Sequence, residues 1–214
     1  MQSLAGKRAI VIGPGRVHAA DLARVLADAG AEVAENADPD WFEDIDIVIV
    51  CPAPSTETPG GGLEEALGEV AAAGRWTARA ASAMRQRRRG VIVHVTGLSG
   101  LGGWPGWQSA GLGLAAIHNL VASAAVDLAR DNVRINALVA GVTADLAATI
   151  AAERGITLDA VRARIPNGRF VDAAALGHAL VYLVHDSASY VTGETLTVDG
   201  GWDVWGRLYA AAPA

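Results

Sequence analysis

Apolar residues along this chain fall into short β-branched runs, separated by longer stretches in which they recur every three or four positions. The first run, residues 7–13 (KRAIVIG), is ended by Gly13, Pro14 and Gly15 and gives way to the helical pattern of Ala19–Ala29, which is a strand–turn–helix opening. Strand-like runs recur at Ala31–Glu35, Ile45–Val50, Val91–Val95, Val133–Val139 and Thr195–Val198. Helical periodicity fills the intervals, at Leu63–Arg88, Ala110–Arg130 and Asp172–His185. Gly74 weakens the middle of the first of these, so it is one helix or two. The alternation predicts a doubly wound α/β domain, a parallel sheet of about six strands covered by helices on both faces. No repeat, low-complexity segment or linker interrupts residues 1–214, which are read as a single domain.

Composition narrows the choice of partners. The chain is 51% hydrophobic, enough to close one substantial core. A formal charge of −6 and a pI near 5.3 provide no field that would gather phosphate, so neither nucleic acid nor an anionic membrane is an expected partner. Cys51 is the single cysteine, which excludes an intrachain disulfide and a CxxC site and fits a reducing cytoplasm. The N-terminal residues do not read as a secretory peptide, and no apolar stretch is read as long enough to cross a bilayer. Arg85, Arg87, Arg88 and Arg89 precede Gly90, as cations facing a helix C-terminus and solvent, or as a docking patch. His18, His94, His118, His178 and His185 show no HxH or HExxH spacing, and no metal site is expected.

Two long stretches carry a resemblance. Residues 186–201 (DSASYVTGETLTVDGG) and 132–141 (NVRINALVAG) resemble, in the right order, the last strand and the strand before it in the short-chain dehydrogenase/reductase family. The resemblance covers nearly the whole chain and implies a Rossmann-like domain. Laid over the segment Leu114–Ala129, it puts the family's active-site Lys on Leu114, its Tyr on Ala110 and its Ser on Gly97. In the family the Tyr is the general acid/base, the Lys lowers its pKa and holds the nicotinamide ribose, and the Ser bonds the substrate oxygen. Gly, Ala and Leu supply none of this, and loss of the acid–base step alone is worth roughly 10²–10⁴ in rate. No YxxxK occurs elsewhere, because Lys7 is the only lysine.

The same comparison bears on the cofactor. The glycine-rich turn keeps Gly13 and Gly15, but its later glycines become Val17 and Ala19, so the two that remain read as vestigial. The family's NNAG stretch appears as Cys51-Pro52-Ala53-Pro54. Between Glu35 and Ile45 there is room only for a loop, since each crossover needs about 10–12 residues. The family's third strand is therefore expected to be missing, although Glu35 or Asp38 could still hold a ribose hydroxyl. No bound cofactor is expected.

The resulting expectation is a catalytically inactive family subunit that pairs with an active dehydrogenase, or with itself, through helices 63–88 and 110–130. Ala116, Leu120, Ala124 and Leu128 recur at helical spacing along the second of these. Trp104 and Trp107, with Trp202 and Trp205, read as interface residues rather than a ligand cage, and the tail Trp202–Ala214 is expected to cross to a neighbouring subunit. One alternative is an NAD(P)-dependent oxidoreductase, or a lyase or isomerase, that uses non-standard residues. Another is a small-molecule sensor that uses the vacated cleft.

Overall fold

The computed structural model describes residues 3–13, 19–34, 42–51 and 60–206. Six strands, β1 (Arg8–Ile12), β2 (Glu32–Ala34), β3 (Ile47–Val50), β4 (Gly90–Gly97), β5 (Val133–Ala140) and β6 (Thr195–Val198), form one sheet in the order β2-β1-β3-β4-β5-β6. Every pairing is parallel. Among the described residues β2 is the sheet edge, as the short interval after it predicts.

Both faces are covered, because a parallel strand must return across the sheet through a crossover. On one face lie α1 (Ala19–Asp28) and α6 (Ala173–Val184), which pack Leu22, Leu26, Leu176 and Leu180 onto Ala9, Ile47 and Val93. The other face carries α2 (Leu63–Arg87) and α3 (Gln108–Ala129), which bring Ala80, Met84, Val121 and Leu128 onto Ile10, Val48, Ile92 and Ile135. Gly74 does not divide α2, which is one helix of 25 residues. Along α3 the residues Ala110, Leu114, Ile117, Val121, Ala125 and Leu128 form a single buried stripe. By length and composition α3 could cross a membrane, contrary to the sequence reading; here it is packed on β5 and α2.

Two helices that the periodicity did not mark, α4 (Ala144–Arg154) and α5 (Leu158–Ala163), close the C-terminal end of the sheet. The Thr143 and Thr157 hydroxyls accept from the Leu146 and Ala160 amides, and Gly155, at φ 61°, ends α4 in the left-handed region. A short α7 (Trp202–Gly206) follows β6. It folds back on its own domain, with Trp202 stacked on Trp104 at 5.7 Å. The expected crossing of the tail therefore does not hold for its first turn, and residues 207–214 lie outside the described residues.

The arginine cluster sits at the C-terminus of α2, as expected, and is also tied to the domain by ion pairs. Asp46 is buried; its carboxylate accepts from the Arg8 amide at 3.0 Å and pairs with Arg89 at 3.2 Å and Arg87 at 3.5 Å. Arg87 also donates to the Ile45 carbonyl. Arg85 and Arg88 pair with Asp131 beyond the end of α3. These contacts lock the C-terminus of α2 to the starts of β1 and β3. Replacing Asp46 with Ala would leave the largely buried Arg87 guanidinium without its counter-ion. The Asp46→Ala variant is expected to lose about 3 kcal/mol in stability, read as a lower urea midpoint at unchanged slope.

Candidate active-site cleft and dinucleotide crevice

The chain leaves β1 to form β2 on one side and then returns to form β3 on the other, so strand order reverses between β1 and β3. In open α/β sheets the crevice at the carboxyl ends of such strands is where ligands bind. Gly13 ends β1 at φ 114°, and a Cβ added to it would lie 1.9 Å from the Cys51 carbonyl oxygen at the end of β3. Only glycine allows the two strand ends to approach this closely. Gly13 thus keeps a structural role that matches the family's first glycine. Gly15, Val17, His18, Glu35, Asp38 and Pro52–Pro54 lie outside the described residues.

Gly97, Ala110 and Leu114 do come together. Gly97 ends β4, a 3₁₀ turn over Leu98–Gly100 follows, and Ala110 and Leu114 lie a turn apart on α3. Ala110 is 3% and Leu114 0% exposed. The turn sits directly on the helix. A Cβ at Gly100 would meet the Leu114 Cβ at 2.7 Å, and one at Gly111 would meet the Ser99 carbonyl oxygen at 2.8 Å. What remains between Gly97, Ser99, Leu114, Gly141 and Thr143 is about 20 Å³, the room of about one water. The Thr143 hydroxyl caps α4. Ser99 is buried and Ser109 half-buried. Neither is hydrogen-bonded to a His or carboxylate in the manner of an activated nucleophile.

Trp104 and Trp107 wall off this space. Their ring centroids are 5.6 Å apart, and the buried Trp107 donates from Nε1 to Glu153 Oε2 at 3.3 Å. Trp104 remains half-buried, whereas Trp107 is held inside the domain. Beyond them opens a pocket of about 550 Å³ bounded by α4, α5 and α7.

Two histidines lie beneath the crevice and the cleft. His94, in the middle of β4, shares a hydrogen bond of 2.8 Å with Thr77 of α2, and burial, with His118 nearby, lowers its pKa from 6.5 to about 4. His118, one turn beyond Leu114 on α3, shares a bond of 2.9 Å with Thr96 and is bonded to the Gly100 backbone; burial lowers its pKa too. The sequence reading took His94 as structural, and its place in the core agrees. The Thr96–His118 contact was not foreseen, because the two residues sit on different elements. Among the described residues no three His, Cys, Asp or Glu side chains group as metal ligands.

Comparison with known proteins places these features. The sequence model of the family described as Enoyl-(Acyl carrier protein) reductase matches residues 28–203. A 3alpha-hydroxysteroid dehydrogenase from Mediterraneibacter gnavus is 34% identical over 122 residues, 56% of this chain and 48% of that protein. The chain spans about half the length of the curated relatives it matches. A solved protein from Beutenbergia cavernae, named as an NAD(P) dependent gluconate 5-dehydrogenase and holding NADP, superposes with a TM-score of 0.76 at 25% identity, over 94% of this chain and 98% of its own. A 7 alpha-hydroxysteroid dehydrogenase complexed with NADH superposes with a TM-score of 0.75 at 21% identity, over 93% and 95%. The expectation of no cofactor is corrected by these findings: the solved relatives hold NADH and NADP. Reading each glycine replacement as a lost contact gave too much weight to a turn of a few residues.

Two outcomes follow from the packing and the buried imidazole. Tyr in place of Ala110 has no room beside a space of about 20 Å³, and Ala110→Tyr is expected to destabilise the fold by about 1–3 kcal/mol through overpacking, measured by thermal melting. His94 is held neutral, with its folded-state pKa depressed. Its contribution is therefore complete above pH 6.5 and is lost as pH falls from there towards 4, by about 3 kcal/mol in all. Unfolding free energy measured across that range should fall with this slope, and His94→Asn should flatten it.

Proposed function

Because this chain belongs to the short-chain dehydrogenase/reductase family, we propose that it binds NAD(P)H between the ends of β1 and β3 and acts as an oxidoreductase that dispenses with the family's Ser-Tyr-Lys set. The observation that carries this reading is the glycine-dependent approach of Gly13 to Cys51 at the point of strand reversal. That backbone shape ends β1 at the mouth of a pocket of about 440 Å³ that Gly13 lines together with Ala19 and Ala20 of α1. The relatives that hold NADH and NADP support the same assignment. Gly13, Ala19 and Ala20 would line the place of the pyrophosphate, and no acidic side chain projects from these three positions. When bound, the dinucleotide supplies or accepts a hydride. Gly97, Ala110 and Leu114 carry no proton, so the proton of a carbonyl reduction has to come from Ser99, from water or from the substrate itself.

A second reading rests on α2 and α3. Leu63, Leu67, Leu112 and Val126 are 52%, 50%, 49% and 75% exposed on these two helices. A partner would cover them, since apolar positions clustered on neighbouring helices favour association. In this reading the chain binds cofactor without turning it over and pairs with an active dehydrogenase, or with a second copy, through helices 63–88 and 110–130. Of the expected stripe, Leu128 is buried against its own sheet while Ala116, Leu120 and Ala124 are half-buried, so the contact would be made by these three together with the exposed residues.

Titration with NADH and NADPH, followed by energy transfer from tryptophan to the nicotinamide, is expected to saturate. Ala19→Asp, which places a negative charge at the crevice without crowding the helix, should weaken binding roughly tenfold. Absence of saturable binding would overturn the proposal. Saturable binding without reduction of any carbonyl in a substrate panel, together with a dimer that Val126→Arg dissociates in native mass spectrometry, would select the second reading.

A further inference from the structure

We propose that the pocket outside the Trp104–Trp107 wall is a binding site for a flat aromatic carboxylate. This goes beyond the assignment of the dinucleotide crevice and does not depend on it. At about 550 Å³ the pocket has the size of a small-molecule site, whereas the cleft at Gly97 and Leu114 has room for about one water. A ligand larger than water is therefore accommodated on the outer side of the tryptophan wall.

The lining specifies the chemistry of that ligand. Trp104 and Trp202 lie 26° from parallel, Trp107 is tilted by 58° to Trp104, and the side chains of Ile150 and Val161 pack behind them. Half-buried aromatic faces with an apolar floor favour a flat ring. Two guanidinium groups reach the same space. Arg154, in the last turn of α4, donates to the Pro105 carbonyl at 2.7 Å, and Arg164 lies over the Trp202 ring at 5.3 Å. Neither forms a salt bridge among the described residues, whereas their neighbours do: Arg162 pairs with Asp159 at 2.6 Å and Arg169 with Asp172 at 3.1 Å. A guanidinium is built to receive a carboxylate with two parallel N–H bonds.

The two acids at the rim do not compete for this role. Glu153 already accepts the Trp107 indole N–H, and Asp203, whose backbone amide donates to Asp199 at 2.7 Å, forms no salt bridge with Arg154 or Arg164 among those the described residues show. A cation is the less favoured ligand, because Arg164 already covers the π face of Trp202. The pocket thus combines the half-buried Trp104 and Trp202 with two guanidinium groups that form no salt bridge among the described residues.

The test uses the full chain without nucleotide and 2-naphthoate as probe, so that its outcome is independent of the dinucleotide assignment. Calorimetry and quenching of tryptophan fluorescence should show one saturable site with a Kd below about 1 mM. Arg164→Gln and Arg154→Ala should each weaken it about tenfold, with unchanged thermal melting, while Arg75→Ala on α2 leaves it alone. Naphthalene-2-methanol, the neutral analogue, should bind about tenfold more weakly. The proposal is overturned if 2-naphthoate does not saturate, if 2-naphthylmethylammonium binds more tightly, or if both arginine variants bind as the parent does.

Discussion

A parallel sheet cannot be left open on either face, because every return to the next strand has to pass over it, and this requirement organises the molecule. It places α1 and α6 on one side and α2 and α3 on the other. It also makes β4 and β5 nearly continuous in buried residues. Polar groups on those two strands must then find partners inside. Asn136 donates to the Val191 carbonyl and accepts from the Glu194 amide, and so holds the approach to β6. Arg134 donates to the carbonyls of Leu183, His185 and Val191 at the end of α6. His94 and Thr96 are satisfied by Thr77 and His118 across the helical layer.

The same constraint sends all the loops that could carry chemistry to one edge. At that edge glycines act in two opposite ways. Gly13 brings β1 against β3 and shapes a crevice, whereas Gly100 and Gly111 let the turn after β4 settle onto α3 and close the neighbouring cleft. The tryptophans complete the closure. Trp107 is held by Glu153, Trp104 stacks on Trp202, and the open volume moves outward to the arginines of α4 and α5. The chain therefore keeps the family's sheet order with its strand reversal, while the pocket of about 550 Å³ lies outside Gly97, Ala110 and Leu114.

Much of the fold could be read from periodicity. Thr195–Val198 has the bounds expected of it, β5 and α3 differ by one or two residues from their expected limits, and among the described residues no strand lies between β2 and β3, as the short interval predicts. The helices over α4 and α5 were passed over although both carry a threonine N-cap, and α4 ends in a left-handed glycine. Their apolar residues bury against one another and against Trp104, so no long stripe marks them in the sequence. The basic cluster lies at the C-terminus of α2, as expected, but its pairing with Asp46 was not legible, because Asp46 lies about forty residues before Arg87 and Arg89 and nothing local announces it.

The sequence by itself determined the layers, the strand count and the residues standing at the family's catalytic positions, since these depend on local periodicity and on motif order. Tertiary structure decided what those positions mean. Whether Leu114 borders a substrate site or fills it, whether Trp104 faces a partner or a pocket, and which arginines lack a counter-ion all depend on contacts between residues far apart in the chain. Such contacts are set by packing at the C-terminal edge of the sheet, where strand ends, helices and loops from distant parts of the chain converge, and no pattern along one segment encodes that convergence.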